Sequence, residues 1–81
     1  MSGESWRDRI VIDPAIHHGE PVIRGTRVAI SVIVASFADG DTSAQILASY
    51  PQLHEDDIRA ALQFAAEAVS HVDFVPLHGV P

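Results

Sequence analysis

A chain of 81 residues is long enough for one small domain, and its 47% hydrophobic content is typical of a globular protein and too high for a disordered one. It contains no cysteine, which excludes a disulfide framework and a thiolate metal site. The formal net charge of −6 repels nucleic acid at long range. Four of the five arginines lie in residues 1–27, so any contact with phosphate is expected from that part of the chain.

The N-terminal segment, residues 1–8, is polar apart from Trp6, and we expect it to be flexible. Trp6 is the single tryptophan, and it either packs partly on the body or belongs to an interface. No apolar run approaches the about 20 residues of a membrane span, and the N-terminus lacks the apolar core of a signal peptide. We therefore expect a cytoplasmic protein with no membrane contact.

Short β-strands are predicted over residues 9–30. The segment 9–13 favours a strand that ends at Pro14. Two further apolar runs, 21–23 and 28–30, flank Gly25 and a threonine and predict a β-hairpin. A two-residue loop that begins with glycine suits a type II′ turn, because glycine adopts positive φ without strain.

This hairpin register places Ile23 opposite Val28 and Arg24 opposite Arg27. Two arginines directly across a hairpin repel each other by about 0.2–1 kcal/mol. We therefore expect an anion beside them, which is an internal acid, a carboxylate of a partner or a phosphate.

Three helices are predicted after the hairpin. The segment 31–39 contains a β-branched run, but its apolar residues also follow the spacing of a helix face, and we interpret it as helix. Thr42 and Gln45 form a capping box that opens a short helix over 43–49. The longest helix covers about 54–70 and begins with three acids that suit the positive end of its dipole.

The longest helix carries two apolar faces. Ile58, Leu62 and Val69 line the first face, and Phe64 and Ala68 line the second. Two faces indicate that one packs on the body and the other on something else. Close packing of both faces within the chain is the alternative, since the helix is rich in alanine.

Residues 71–81 contain two prolines and a glycine, which exclude a helix and predict an extended C-terminal tail. The tail is so apolar that we expect its side chains to be buried in a contact. It either binds a partner, for example as a strand added to the edge of the partner's sheet, or covers the domain's own core. The candidate partner-binding residues are Val72, Phe74, Val75 and Leu77.

A long motif runs from residue 9 to about residue 66. It consists of Arg9-Ile10-x-x-Asp13-Pro14, Gly19-x-Pro21-Val22-Ile23-Arg24-Gly25-Thr26-Arg27, Gly40, Ile46-Leu47, Tyr50-Pro51-x-Leu53 and Asp57-Ile58-x-Ala60-Ala61-Leu62. This motif resembles the small bacterial domain-of-unknown-function family four-three-three (DUF433). Its members are commonly described as VapB-like antitoxins with a homeodomain-like helix-turn-helix. They are often encoded beside a toxin with a PIN-like nuclease fold.

Three positions depart from the family pattern. Glu20 replaces a usual lysine, which removes one cation from the hairpin, and Ala29 replaces a usual proline. His54 stands where the family usually has a threonine that caps the last helix together with Asp57. Histidine is a poorer cap, and the exchange costs about 0.5–1 kcal/mol.

The pattern and the resemblance together predict a mainly α (small α+β) fold. An N-terminal β-hairpin precedes a three-helix, homeodomain-like helix-turn-helix bundle and an extended C-terminal tail. In domain terms, residues 1–8 are a flexible N-terminus, 9–70 form a single antitoxin-like domain and 71–81 are the tail. Within the domain, β-strands occupy 9–30 and the helices 31–70.

The function that the resemblance implies is that of an antitoxin that binds and neutralises a PIN-like nuclease toxin through its tail, with regulation of its own promoter as a second role. The tail has no arginine or lysine, so we expect inhibition by steric filling, or by charge from Arg24 and Arg27. The alternatives are a DNA-binding regulator without a toxin and a homodimeric interaction module. We expect the chain to form a homodimer under each of these alternatives.

DNA binding through the last helix is disfavoured because its N-terminus carries three acids, which would lie beside the phosphates. If operator DNA is bound, the candidate residues are Arg24, Arg27, Arg9 and Arg7. No nucleophile–base spacing and no phosphate-binding loop is present, so we expect no enzyme, no cofactor and no metal.

Overall fold

A computed structural model describes residues 5–15 and 17–70 of the chain. Over these residues the fold is mainly helical with a small N-terminal antiparallel sheet, which confirms the predicted fold class. The predicted tail, 71–81, lies outside the described residues. The elements are a 3₁₀ helix Trp6–Arg9, strand β1 Ile10–Val11, a 3₁₀ turn His17–Gly19, strand β2 Val22–Ile23, and helices α1 Ile30–Ala38, α2 Ser43–Ser49 and α3 Glu55–Ser70.

The sheet pairs β1 with β2, so that Ile10 lies opposite Ile23. The second run of the predicted hairpin is reduced to a single bridge between Val22 and Ala29. That bridge keeps the predicted alignment of the two runs, and the Ile23 amide donates to the Val28 carbonyl at 3.0 Å. The pairing is short because α1 begins at residue 30, immediately after the bridge.

The turn of the hairpin differs from the predicted type II′ loop. The Thr26 amide donates to the Ile23 carbonyl at 3.0 Å, and Gly25 has a φ of +79°. Glycine therefore occupies the third position of the turn, as in type II. The Thr26 hydroxyl explains the difference, because it donates to the Ile23 carbonyl at 2.8 Å and accepts from the Val28 amide at 3.0 Å. The contacts of the Thr26 side chain take the place of a backbone hydrogen bond between the two runs, so the loop is longer than the predicted two residues.

The positive φ of Gly25 predicts a specific cost of substitution. We expect Gly25→Ala to lower the free energy of unfolding by about 1–2 kcal/mol, because a side chain disfavours left-handed backbone. A Cβ at this position would meet no atom within 4 Å, so the cost is conformational and not steric. Gly25→Asn should cost less, since asparagine tolerates this region. Urea denaturation of both variants tests this; equal stability of Gly25→Ala and the parent chain would contradict it.

Residues 5–8 are the described part of the N-terminus 1–8 that the sequence predicts to be flexible, and they form the start of a capped 3₁₀ helix. Ser5 and Asp8 cap the 3₁₀ helix reciprocally: the Arg7 amide donates to Ser5 Oγ, and the Ser5 amide donates to Asp8 Oδ2. The Trp6 ring packs edge-on against Phe64 of α3, with centroids 6.5 Å apart. The described residues 5–8 are therefore held by their own capping box and by the contact of Trp6 with α3.

The three helices lie close to the segments that the sequence predicts to be helical. The ambiguous segment 31–39 is helical, as predicted, and ends where Gly40 adopts a φ of +98°. The capping box of α2 is present, with the Gln45 amide donating to Thr42 Oγ1 and the Thr42 amide donating to Gln45 Oε1. Helix α3 begins one residue after its predicted start.

The hydrophobic core lies between the sheet and the three helices. Its centre consists of three isoleucines, Ile23, Ile33 and Ile46, whose side chains are fully buried. Each comes from a different element, so the core joins β2, α1 and α2. The first two turns of α3 also contribute side chains to this core. The other buried members of the cluster are Val28, Ile30, Leu53, Ile58 and Ala61.

Candidate functional site

The start of α3 is fixed by a buried carboxylate. Asp57 is only 5% exposed, and it is the one charged residue among the described residues that is buried. Its Oδ1 accepts from Arg9 Nη1 at 2.9 Å, and its Oδ2 accepts from the His54 amide at 2.8 Å. The second contact is the half of a capping box that does not need a hydroxyl at position 54. Asp57 therefore ties the N-terminal segment to α3 and caps the helix at the same time.

Two of the four arginines predicted to bind DNA are engaged with acids of α3. Arg7 donates to the Glu67 carboxylate at 2.6 Å and stacks over the Trp6 ring at 4.5 Å. Arg9 binds Asp57 and also reaches Asp56 at 3.4 Å. These pairs reduce the positive charge that the two arginines offer to a phosphate.

The other two arginines, Arg24 and Arg27, lie exposed on the hairpin loop. Arg24 Nε donates to the Asp8 carbonyl at 2.6 Å, which fixes the side chain along the 3₁₀ helix. A polar cleft of about 310 Å³ separates this loop from the start of α3, with Arg9 and Asp57 among its lining residues. Of the four predicted arginines, two therefore bind acids of α3 and the other two lie on the hairpin loop.

The surface at the start of α3 is acidic. Glu55 and Asp56 are exposed; Arg59 reaches Glu55 at 3.9 Å, and Arg9 reaches Asp56 at 3.4 Å. A recognition helix enters the major groove with its N-terminal residues near the phosphates. These exposed acids would therefore lie beside the phosphates if α3 entered a major groove.

The C-terminal half of α3 exposes apolar side chains on one side. Leu62 is 41% exposed and Val69 is 69% exposed, and Ala65 and Ala66 lie between them on the same side. The spacing i, i+3, i+4 and i+7 places all four on one stripe. We call these four residues the free face of α3. Its N-terminal end continues into a groove of about 210 Å³ beside Phe37 of α1.

The opposite face of α3 is engaged by the N-terminal segment. Phe64 contacts Trp6, and Glu67 binds Arg7. A second groove of about 220 Å³ runs along this contact, and Ile12, at 59% exposure, is one of the residues that line it. We call it the tryptophan groove; its lining residues are Trp6, Arg7, Ile10, Ile12, Phe64 and Glu67.

The predicted partner-binding residues, Val72, Phe74, Val75 and Leu77, lie outside the described residues. They follow the free face directly in the sequence, since α3 ends at Ser70. In the described part of the chain no helix is both long and apolar enough to cross a membrane. No group of three metal-binding side chains occurs over the described ranges either.

Sequence reasoning missed the ion pairs that attach the N-terminal segment to α3. The pattern Ser5-x-x-Asp8 is a capping signal and could have revealed the 3₁₀ helix. Nothing in the sequence marks the pairing of Arg9 with Asp57, which are 48 residues apart.

Comparison with known proteins gives a consistent family match. The family model described as Protein of unknown function (DUF433) matches residues 10–65. The chain is 37% identical over 59 residues to Uncharacterized protein y4eO of Sinorhizobium fredii, which covers 73% of this chain and 27% of that protein. The crystal structure of a DUF433 member from Anabaena variabilis superposes with a TM-score of 0.74 at 30% identity.

The alignment with the crystallised protein covers 79% of this chain and 63% of that one. The chain therefore spans about a quarter of the curated relative and less than two thirds of the crystallised one. Neither description states an activity.

Proposed function

The chain belongs to the DUF433 family, whose description states no activity, and from its surface we propose that it is an antitoxin-like protein that binds and neutralises a partner protein. The observation that supports the proposal is the free face of α3. It presents Leu62 and Val69 to solvent and leads directly into the apolar tail. Contiguous apolar surface of this kind is typical of a protein interaction site.

The free face and the tail have the chemistry of a peptide that fills a groove. A helical stripe with i, i+3, i+4 and i+7 anchors is a recurring recognition mode, and an extended apolar segment is another. Here the two follow each other without a break, so one partner can take both. The candidate contact residues in the tail are Val72, Phe74, Val75 and Leu77.

The partner class that we propose is a PIN-like nuclease, which the family resemblance suggests. Such enzymes hold metal ions with clustered carboxylates, and an inhibitor acts by closing that cleft. The tail carries no arginine or lysine, so it would close the cleft by apolar filling. The exposed loop residues Arg24 and Arg27 offer the alternative, a cation placed against the carboxylates.

DNA binding ranks below protein binding on the observed charges. Arg7 and Arg9 are paired with acids of α3, and the start of that helix is itself acidic. Any contact of a dimer with its own promoter would depend on Arg24 and Arg27. We therefore propose promoter binding only as a secondary role of the hairpin loop.

Co-purification tests the main proposal. The tagged chain is co-expressed with the product of the adjacent open reading frame, and the eluted species is weighed by light scattering. We expect a stable complex with the full chain and loss of that complex when residues 72–81 are deleted. A full-length chain that elutes alone or only as a homodimer would contradict the antitoxin assignment and favour the homodimeric module.

A further inference from the structure

The tryptophan groove is an apolar surface that the described residues leave open. Trp6 and Phe64, whose rings meet edge-on, both line it, and so does Ile12, which is 59% exposed. The free energy falls when a large aliphatic side chain is removed from water, so burial of Ile12 beneath another apolar segment is favourable. The groove lies on the side of α3 that carries Phe64 and Glu67, not on the free face.

We propose that the C-terminal tail of the same chain folds back along α3 and places Phe74 in the tryptophan groove. The proposal concerns the free protein and does not depend on the partner proposed above. It assigns the tail two alternative positions, one on its own domain and one on a partner.

The length of the tail fits this path. Phe64 lies six residues before Ser70, the end of α3, which corresponds to about 9 Å along a helix. An extended chain advances about 3.3 Å per residue, so about three residues return over that distance. If two residues are allowed for the reversal of direction, Phe74 or its neighbour Val75 would be level with Phe64.

The chemistry of the tail matches the groove as well. Arg7 and Glu67 at the rim form an ion pair and cancel in charge. The tail carries a single charged residue, Asp73, so electrostatic repulsion between the tail and the acidic remainder of the chain is weak. Phe74 supplies a flat apolar ring for the open space beside Ile12, and aromatic pairs of this kind add to the free energy of burial.

A consequence for binding follows from the two positions of the tail. A partner that takes the tail must first remove it from the tryptophan groove, so docking lowers the apparent affinity for that partner. Variants that weaken the groove contact without touching the tail are expected to bind the partner more tightly.

Intrinsic fluorescence tests the docking directly, because Trp6 is the only tryptophan in the chain. In the full-length protein, Phe74→Asp combined with Leu77→Asp should shift the Trp6 emission to longer wavelength and increase its quenching by acrylamide. Val80→Asp, which adds the same kind of charge near the end of the tail, is the matched control and should leave both unchanged. Identical spectra for the double variant and the parent chain would overturn the proposal.

Cross-linking provides a second test that does not depend on weakening the fold. The chain lacks cysteine, so Ile12→Cys with Val75→Cys introduces a single possible disulfide within one chain and keeps Phe74. Mild oxidation should join the tryptic peptides 10–24 and 60–81 within one monomer. Ala44→Cys with Val75→Cys is the control, since position 44 lies on α2 and does not line the groove. Equal cross-linking of both pairs, or cross-linking only between two chains, would overturn docking within one chain.

Discussion

Replacing Asp57 with alanine is expected to lower the free energy of unfolding by about 3 kcal/mol, one of the largest effects of any single substitution in this domain. The change removes the acceptor of Arg9 Nη1 and the acceptor of the His54 amide together. It also removes the carboxylate that lies 2.9 Å from a guanidinium whose side chain is only 24% exposed. Because Arg9 retains some contact with water, we place the cost at the low end of that for buried pairs.

Thermal denaturation followed by circular dichroism measures this effect. A domain of this size loses about 4–8 °C of Tm for each kcal/mol, so the shift should be large. The matched control is Asp56→Ala, which removes the same group from the neighbouring, exposed position. We expect the control to cost less than 1 kcal/mol, about the value of a surface ion pair with a helix-dipole contribution.

A double-mutant cycle separates the two roles of Asp57. Arg9→Ala combined with Asp57→Ala should cost less than the sum of the single changes, because the pair is coupled. Asp57→Asn keeps an acceptor for the His54 amide and should be intermediate in stability. If Asp57→Ala were no more destabilising than Asp56→Ala, the buried pair would not hold the N-terminal segment to α3.

The elements that depend on local signals were predictable. The capping box at Thr42 and Gln45 locates the start of α2 within a single turn, and the helical spacing over 31–39 outweighs the strand propensity of its β-branched run. These signals act between residues three or four apart, so they can be read without knowledge of the fold.

The features that depend on distant contacts could not be predicted. The Thr26 hydroxyl changes the type of the hairpin turn because it meets the Ile23 carbonyl in that geometry. The 3₁₀ helix occupies one face of α3, and the pairing of Arg9 with Asp57 that attaches it spans 48 residues. The two apolar faces of α3 were predicted, but the N-terminal segment decides which of them faces solvent.

The free face of α3 carries the second large prediction, which concerns binding and not stability. Val69→Asp should weaken the complex with the co-purified partner by at least about 30-fold, the equivalent of 2 kcal/mol. The change removes an apolar anchor and requires a charge to be buried in the interface, where it has no counter-ion. Titration by isothermal calorimetry or surface plasmon resonance measures the change in Kd.

Val69 is suited to this test because its side chain is 69% exposed in the free protein and contributes little to the core. Gln63→Asp is the matched control: it places the same carboxylate at another exposed position of the same helix, off the free face. We expect it to change the affinity less than threefold, since surface changes of this kind cost less than about 0.5 kcal/mol.

A comparison of two affinities distinguishes the free face from the tail. If Val69→Asp weakens the complex as much as deletion of 72–81 does, helix and tail bind as one continuous segment. If only the deletion weakens it, the tail alone carries the interaction, and the exposure of Leu62 and Val69 has another cause, such as contact with a second copy of the chain. Light scattering of Val69→Asp in the absence of partner decides that case, because a homodimer held by the free face would dissociate to monomers.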